Sequence, residues 1–142
     1  MSDIKLKPRS SHWLTRFLNK LGAGTYWTTI GDTIYYPDAI EDPYLFPELI
    51  EHEKIHLQQY KKYGTFLFLF LYILFPLPIF FAYFRWKFER EAYLVQAKMY
   101  IAEKRTTPEY ISESISKTLW NNYFFTWPRA LMKKWLLKQL NK

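Results

Sequence analysis

Cysteine is absent from the 142 residues. This excludes a disulfide scaffold, a thiolate zinc finger and a thiol nucleophile. Any bound metal must then rest on histidine and carboxylate, and histidine is itself scarce: His12, His52 and His56. Glycine is held to four residues, and no Ser/Gly-rich linker or internal repeat breaks the chain. A single domain over 1–142 is therefore expected. The N-terminal MSDIKLKPRSSHWL lacks the apolar stretch of a secretory signal, so the expectation is a cytoplasmic protein or one built into a larger particle. Acidic residues number only thirteen against twenty Lys+Arg, leaving a net charge of +7. What abounds is aromatic: twelve Phe, twelve Tyr and six Trp. A domain of this size hardly buries so many rings alone, which favours a larger assembly or a membrane contact. Nucleic acid is not an expected partner, because the cations gather at the chain ends, the rings cluster in one apolar run, and no recognition motif appears.

That run, Thr65 to Phe84, holds twenty residues without a charge and is long enough by count to cross a bilayer. Pro76 and Pro78 interrupt its middle, where each ring removes a backbone donor and clashes with the preceding turn. The reading is two apolar helical arms joined at Pro76-Leu77-Pro78, either buried in protein or dipping into lipid, and not a single span. Around it the pattern is mainly α with one β-hairpin. Ser10 or Ser11 is expected to cap a short helix with Trp13, Leu14, Phe17, Leu18 and Leu21 on one stripe, stopped by Gly22. TYWTTIGDTIYYP reads as a hairpin turning at Gly31-Asp32. A helix follows from about Pro47 to Tyr63, closed by Gly64. The second apolar arm runs on to about Glu103. Two more helices, one from Thr107-Pro108 and one from Pro128 to about Leu140, complete the chain, the last with Lys133, Lys134 and Lys138 opposite Met132, Leu136 and Leu140.

The chemistry lies in His52-Glu53-Lys54-Ile55-His56. Residues four apart share a helix face, so both imidazoles can reach one Zn²⁺ at about 2.0–2.1 Å. Glu53, one position along, sits beside such a metal and can take a proton from an activated water. Catalytic zinc takes three protein ligands and keeps a fourth position open, and without cysteine a carboxylate is the default third. Downstream, Glu89 and Glu91 flank the apolar stripe Phe81, Phe84, Phe88, Ala92, Val95 and Met99 on opposite shoulders. Spacing leaves both open.

HEKIHLQQYKKYG followed by FEREAY resembles the gluzincin arrangement, an HExxH helix plus a glutamate in an ExxA context on a second helix. It is similar to the small minigluzincins and to small bacterial and phage proteins reading HExxHxxQY…YG…EREAY. The likeness covers roughly Thr28 to Gln96, about half of the chain. It implies a zincin-like metal core over about 28–104 with helical flanks at 1–22 and 108–142. The implied zinc ligands are His52, His56 and Glu89, the implied catalytic base is Glu53, and the implied activity is zinc-dependent cleavage of a peptide or protein substrate. Tyr93 stands where many relatives carry the Asp or Asn that orients a ligand histidine. The resemblance also implies a substrate-pairing strand before the HExxH helix, with Thr33–Tyr36 the candidate. Tyr93 and His12 are the candidate oxyanion donors. The rival expectations are a structural protein of a larger assembly that retains a zinc site, and a membrane-associated protein held by residues 65–84.

Overall fold

The computed structural model describes residues 4–73, 82–122 and 127–142. Within them the fold is mainly α: six α-helices and one three-stranded sheet. The chain divides into two units, Met1–Thr65 and Phe66–Lys142.

The first unit is built on a small sheet in the order β1-β3-β2. β2 (Thr28–Ile30) and β3 (Thr33–Tyr36) form the expected antiparallel hairpin. Its turn places Gly31 at φ +62°, a conformation that glycine adopts without a side-chain clash. β1 (Lys5–Pro8), which the sequence reading missed, pairs with β3 in parallel, Lys5 opposite Thr33 and Pro8 opposite Tyr36. A parallel partner arrives by a long crossover, so no local turn signal announces it.

This pairing corrects the substrate-strand expectation. Thr33–Tyr36 is the central strand, hydrogen-bonded on both sides, and has no free edge to offer a peptide. Among the described residues, the edges belong to β1 and β2.

Beyond β1, Arg9 is fully buried and cross-braces the unit. Its Nε donates to Asn19 Oδ1 at 2.6 Å, and its Nη1 donates to the Tyr26 carbonyl at 2.7 Å and to Thr28 Oγ1 at 2.5 Å. Burial pulls the Arg9 guanidinium below its ordinary pKa, opposed by the charges of Asp38 and Glu53. Helix α1 (Trp13–Leu18) is capped by His12, whose Nδ1 accepts from the Leu14 amide at 3.2 Å, and not by Ser10 or Ser11. Those serines lie in a preceding 3-10 turn, where Ser11 Oγ donates to the Pro8 carbonyl and the Ser10 amide to Asp38. A π-helical turn, Asn19–Ala23, continues α1 until Gly22 reverses the backbone at φ +88°.

Helix α2 (Pro47–Tyr63) has the bounds the sequence indicates, Pro47 in its first turn and Gly64 beyond its end at φ +77°. It lies against β2 and β3, with Ile34, Tyr35, Ile50 and Tyr60 buried in this unit.

The second unit holds α3 (Thr65–Ile73), α4 (Ala82–Ala102), α5 (Pro108–Asn122) and α6 (Arg129–Leu140). The turn expected at Pro76-Leu77-Pro78 lies outside the described residues. α3 and α4 meet where the Phe68 and Phe88 rings lie tilted against each other, centroids 4.8 Å apart. Trp86, Ala97, Ile115, Leu119, Met132 and Leu136 form the core of α4, α5 and α6. Arg90 lies over the rings of Trp86 and Trp135 at 5.9 and 4.8 Å. Among the described residues, no helix is long and apolar enough to cross a membrane.

Candidate metal centre

Helix α2 turns His52, Glu53 and His56 inward together, and all three are buried. The two imidazoles stand one turn apart with ring centroids 5.2 Å from each other. Gln59, a further three residues along, is buried beside them. Its Oε1 is 2.9 Å from His56 Nδ1. An amide oxygen only accepts, so this contact suits the tautomer with the proton on Nδ1, the one that leaves Nε2 for a metal. Sequence reasoning gave Gln59 no role, although its i+3 spacing from His56 was a usable signal.

Glu53 is fixed from the sheet. Thr29 on β2 donates its hydroxyl to Glu53 Oε2 at 2.7 Å, and the same hydroxyl lies 3.3 Å from the Glu53 carbonyl. The edge strand therefore aims the carboxylate. Tyr60 is buried on the same helix, and burial together with the Glu53 charge pushes its hydroxyl well above the ordinary tyrosine range.

Glu89 and Glu91, equivalent by spacing, have different surroundings. Glu89 is 2% exposed, whereas Glu91 is exposed. The stripe drawn from the apolar residues omitted Trp86, Glu89 and Ala97, all of which are buried on α4. Glu89 Oε1 accepts a hydrogen bond from the Tyr72 hydroxyl of α3. Tyr72 is in turn held by Arg85, whose Nη2 donates to the Tyr72 carbonyl at 2.7 Å and whose guanidinium lies 5.3 Å from the ring centroid. Burial first, then the charge and hydrogen bond of Glu89, raise the Tyr72 hydroxyl well above its usual range. It remains a donor at any ordinary pH. No sequence signal connected Tyr72 to Glu89, because the pair comes from different helices.

One ligand atom from each of His52, His56 and Glu89 lies within 4.8 Å of the others, and all three residues are buried. This group could hold a metal ion. Two imidazoles and one carboxylate are a donor set suited to a divalent ion of intermediate softness. Glu91 is not in the group, and neither is His12, whose ring lies against Trp13 and Tyr35 with Nδ1 committed to the α1 cap. Tyr93 packs against the core of the second unit. Comparison of the chain with protein-family models, with curated proteins and with solved structures finds no match.

Proposed function

We propose that the protein is a zinc-dependent peptidase in which His52, His56 and Glu89 hold the metal and Glu53 is the general base. The observation that carries this reading is the convergence of three buried candidate ligand side chains with a second buried carboxylate, Glu53, on the same helix as the histidines. Zinc, when bound, would supply Lewis acidity to a water and to a substrate carbonyl. The protein's own part is positional. Gln59 favours the His56 tautomer that leaves Nε2 for the metal, Tyr72 orients Glu89, and Thr29 holds Glu53 where it can accept the attacking water's proton and pass it to the leaving amine. An extended peptide would find unpaired backbone groups along β2, which has β3 on one side only among the described residues. Thr29 would then link the strand that receives the substrate to the carboxylate that acts on it.

The choice of third ligand has a direct test. Glu89→Ala is expected to weaken zinc binding by at least about a hundredfold, since it removes one of three protein ligands. Glu91→Ala, altering an exposed side chain, should leave the affinity within about twofold. Competition with a chromogenic chelator measures both, and the reverse ranking would transfer the ligand role to Glu91.

Tyr72→Phe keeps the ring and removes the donor to Glu89. The loss of such an orienting partner costs about tenfold to a hundredfold in metal affinity. Zinc titration of wild type and variant, each shown folded by circular dichroism, reads it. An unchanged affinity would reduce the Tyr72–Glu89 contact to packing.

A further inference from the structure

The short helix at the front of the first unit faces the wrong way for a core element. The apolar residues of α1 and its π-helical continuation were expected on one stripe, yet Trp13 is 67%, Phe17 54% and Leu21 67% exposed while Leu14 and Leu18 are half-buried. What α1 buries instead is Thr15, whose hydroxyl donates to the His12 carbonyl at 2.9 Å and to the Arg9 carbonyl. The outward face runs Trp13, Arg16, Phe17, Lys20, Leu21, all exposed. Trp13, Arg16 and Phe17 are positions i, i+3 and i+4 of α1, one helical surface, and the exposed Lys20 and Leu21 follow in the π-helical turn. A face meant for water needs no large apolar side chains, and three of these five are large and apolar.

The face itself carries charge of one sign, with Asp38 beside it accepting from the Ser10 amide and from Asn19 Nδ2. Residues 4–31 include Lys5, Lys7, Arg9, Arg16 and Lys20 and no Asp or Glu. Lys5 is paired with Asp32 and Arg9 is buried, but neither Arg16 nor Lys20 is ion-paired among the described residues. Two unneutralised cations therefore alternate with a Trp, a Phe and a Leu along one surface. That combination suits the boundary of an anionic bilayer, where an indole and a phenyl ring sit at headgroup level, aliphatic carbon reaches the acyl chains and cations meet lipid phosphate.

We infer that the Trp13–Arg16–Phe17–Lys20–Leu21 face of the first unit is a peripheral docking surface for anionic lipid. It differs from the apolar run at 65–84, which the sequence alone put forward for membrane contact. It is independent of the metal centre.

The test is sedimentation of the full-length protein with large vesicles of equal parts phosphatidylcholine and phosphatidylglycerol, compared with vesicles of phosphatidylcholine alone. Wild type should bind the anionic vesicles and bind the neutral ones at least about tenfold more weakly. Trp13→Ser, Phe17→Ser and Leu21→Ser combined should reduce partitioning by about a hundredfold or more. Arg16→Gln and Lys20→Gln should each cost about fivefold. All five side chains are exposed, so the variants should melt as wild type does. Lys134→Gln with Lys138→Gln removes two exposed cations of α6 and is expected to leave binding within about twofold. Wild type that stays in the supernatant overturns the proposal. So does an α6 variant that loses as much binding as the α1 variants, which would make the attraction one of net charge. A wild type that ignores vesicles but self-associates through Trp13, seen as a dimer lost in Trp13→Ser by analytical ultracentrifugation, would assign the face to a second copy and overturn it equally.

Discussion

Replacing His52 and His56 together by alanine is expected to abolish zinc binding, while the wild type, stripped and reconstituted, holds about one zinc per chain. Two of the three buried candidate ligands come from one helix face, so the double variant leaves a single carboxylate, which cannot compete with water for the ion. The effect has a second readout in stability. A ligand that binds only the folded state stabilises it by about 2.7 kcal/mol at a hundred times its Kd. Added zinc should therefore raise the melting temperature of the wild type and leave that of the double variant unmoved. Elemental analysis supplies the stoichiometry and thermal unfolding supplies the coupling. A wild type that takes up no zinc after reconstitution would remove the metal and, with it, the peptidase reading.

The elements that sequence located best are those bounded by backbone chemistry. Pro47 and Gly64 delimit α2 because one lacks an amide that a helix start leaves unsatisfied anyway, and the other accepts φ +77°. Gly31 does the same for the hairpin. The HExxH pair was legible because four-residue spacing is a property of any helix. What failed depended on contacts from elsewhere in the chain. β1 enters as a parallel partner, and its arrival turns β3 from a receptive edge into the middle of the sheet. On α1, apolar spacing puts Trp13, Leu14, Phe17, Leu18 and Leu21 on one stripe, but it cannot say which side of a helix the rest of the protein covers. Thr15 and the half-buried leucines took the inner side there, and Trp13, Phe17 and Leu21 were left outside.

The candidate site shows the same division. Glu89 and Glu91 are symmetric about the apolar stripe of α4, and what distinguishes them is the burial of Glu89 and its contacts with other helices. The stripe itself was drawn from apolar residues alone, which hid a buried carboxylate lying on the protected side. Thr29 and Tyr72 each donate to a carboxylate across more than fifteen positions of sequence, a relation no periodicity encodes. Gln59 is the exception, because it stands one helical turn from the histidine it orients.

Glu53→Gln separates an enzyme from a protein that keeps zinc for its fold. The substitution preserves size and leaves an amide oxygen for the Thr29 hydroxyl to donate to at the place where Oε2 now sits, 2.7 Å away. The helix, the sheet contact and the metal ligands are then undisturbed, so zinc stoichiometry and melting temperature should match the wild type. What the amide lacks is a basic lone pair able to take the proton of the attacking water. General-base catalysis of this kind contributes about 10²–10⁴-fold. Cleavage of a broad peptide library should therefore fall by that factor in kcat/KM, with the loss in kcat because the proton transfer belongs to the transition state. If wild type and variant are equally inert on the library while both hold zinc, Glu53 has no base to be, and the buried ligands serve the architecture of a structural protein. If the wild type cleaves and the variant does not, the Thr29–Glu53 pair becomes the place where substrate strand and chemistry join. Thr29→Val should then lower kcat while zinc remains bound, because the carboxylate loses the Thr29 hydroxyl that donates to it.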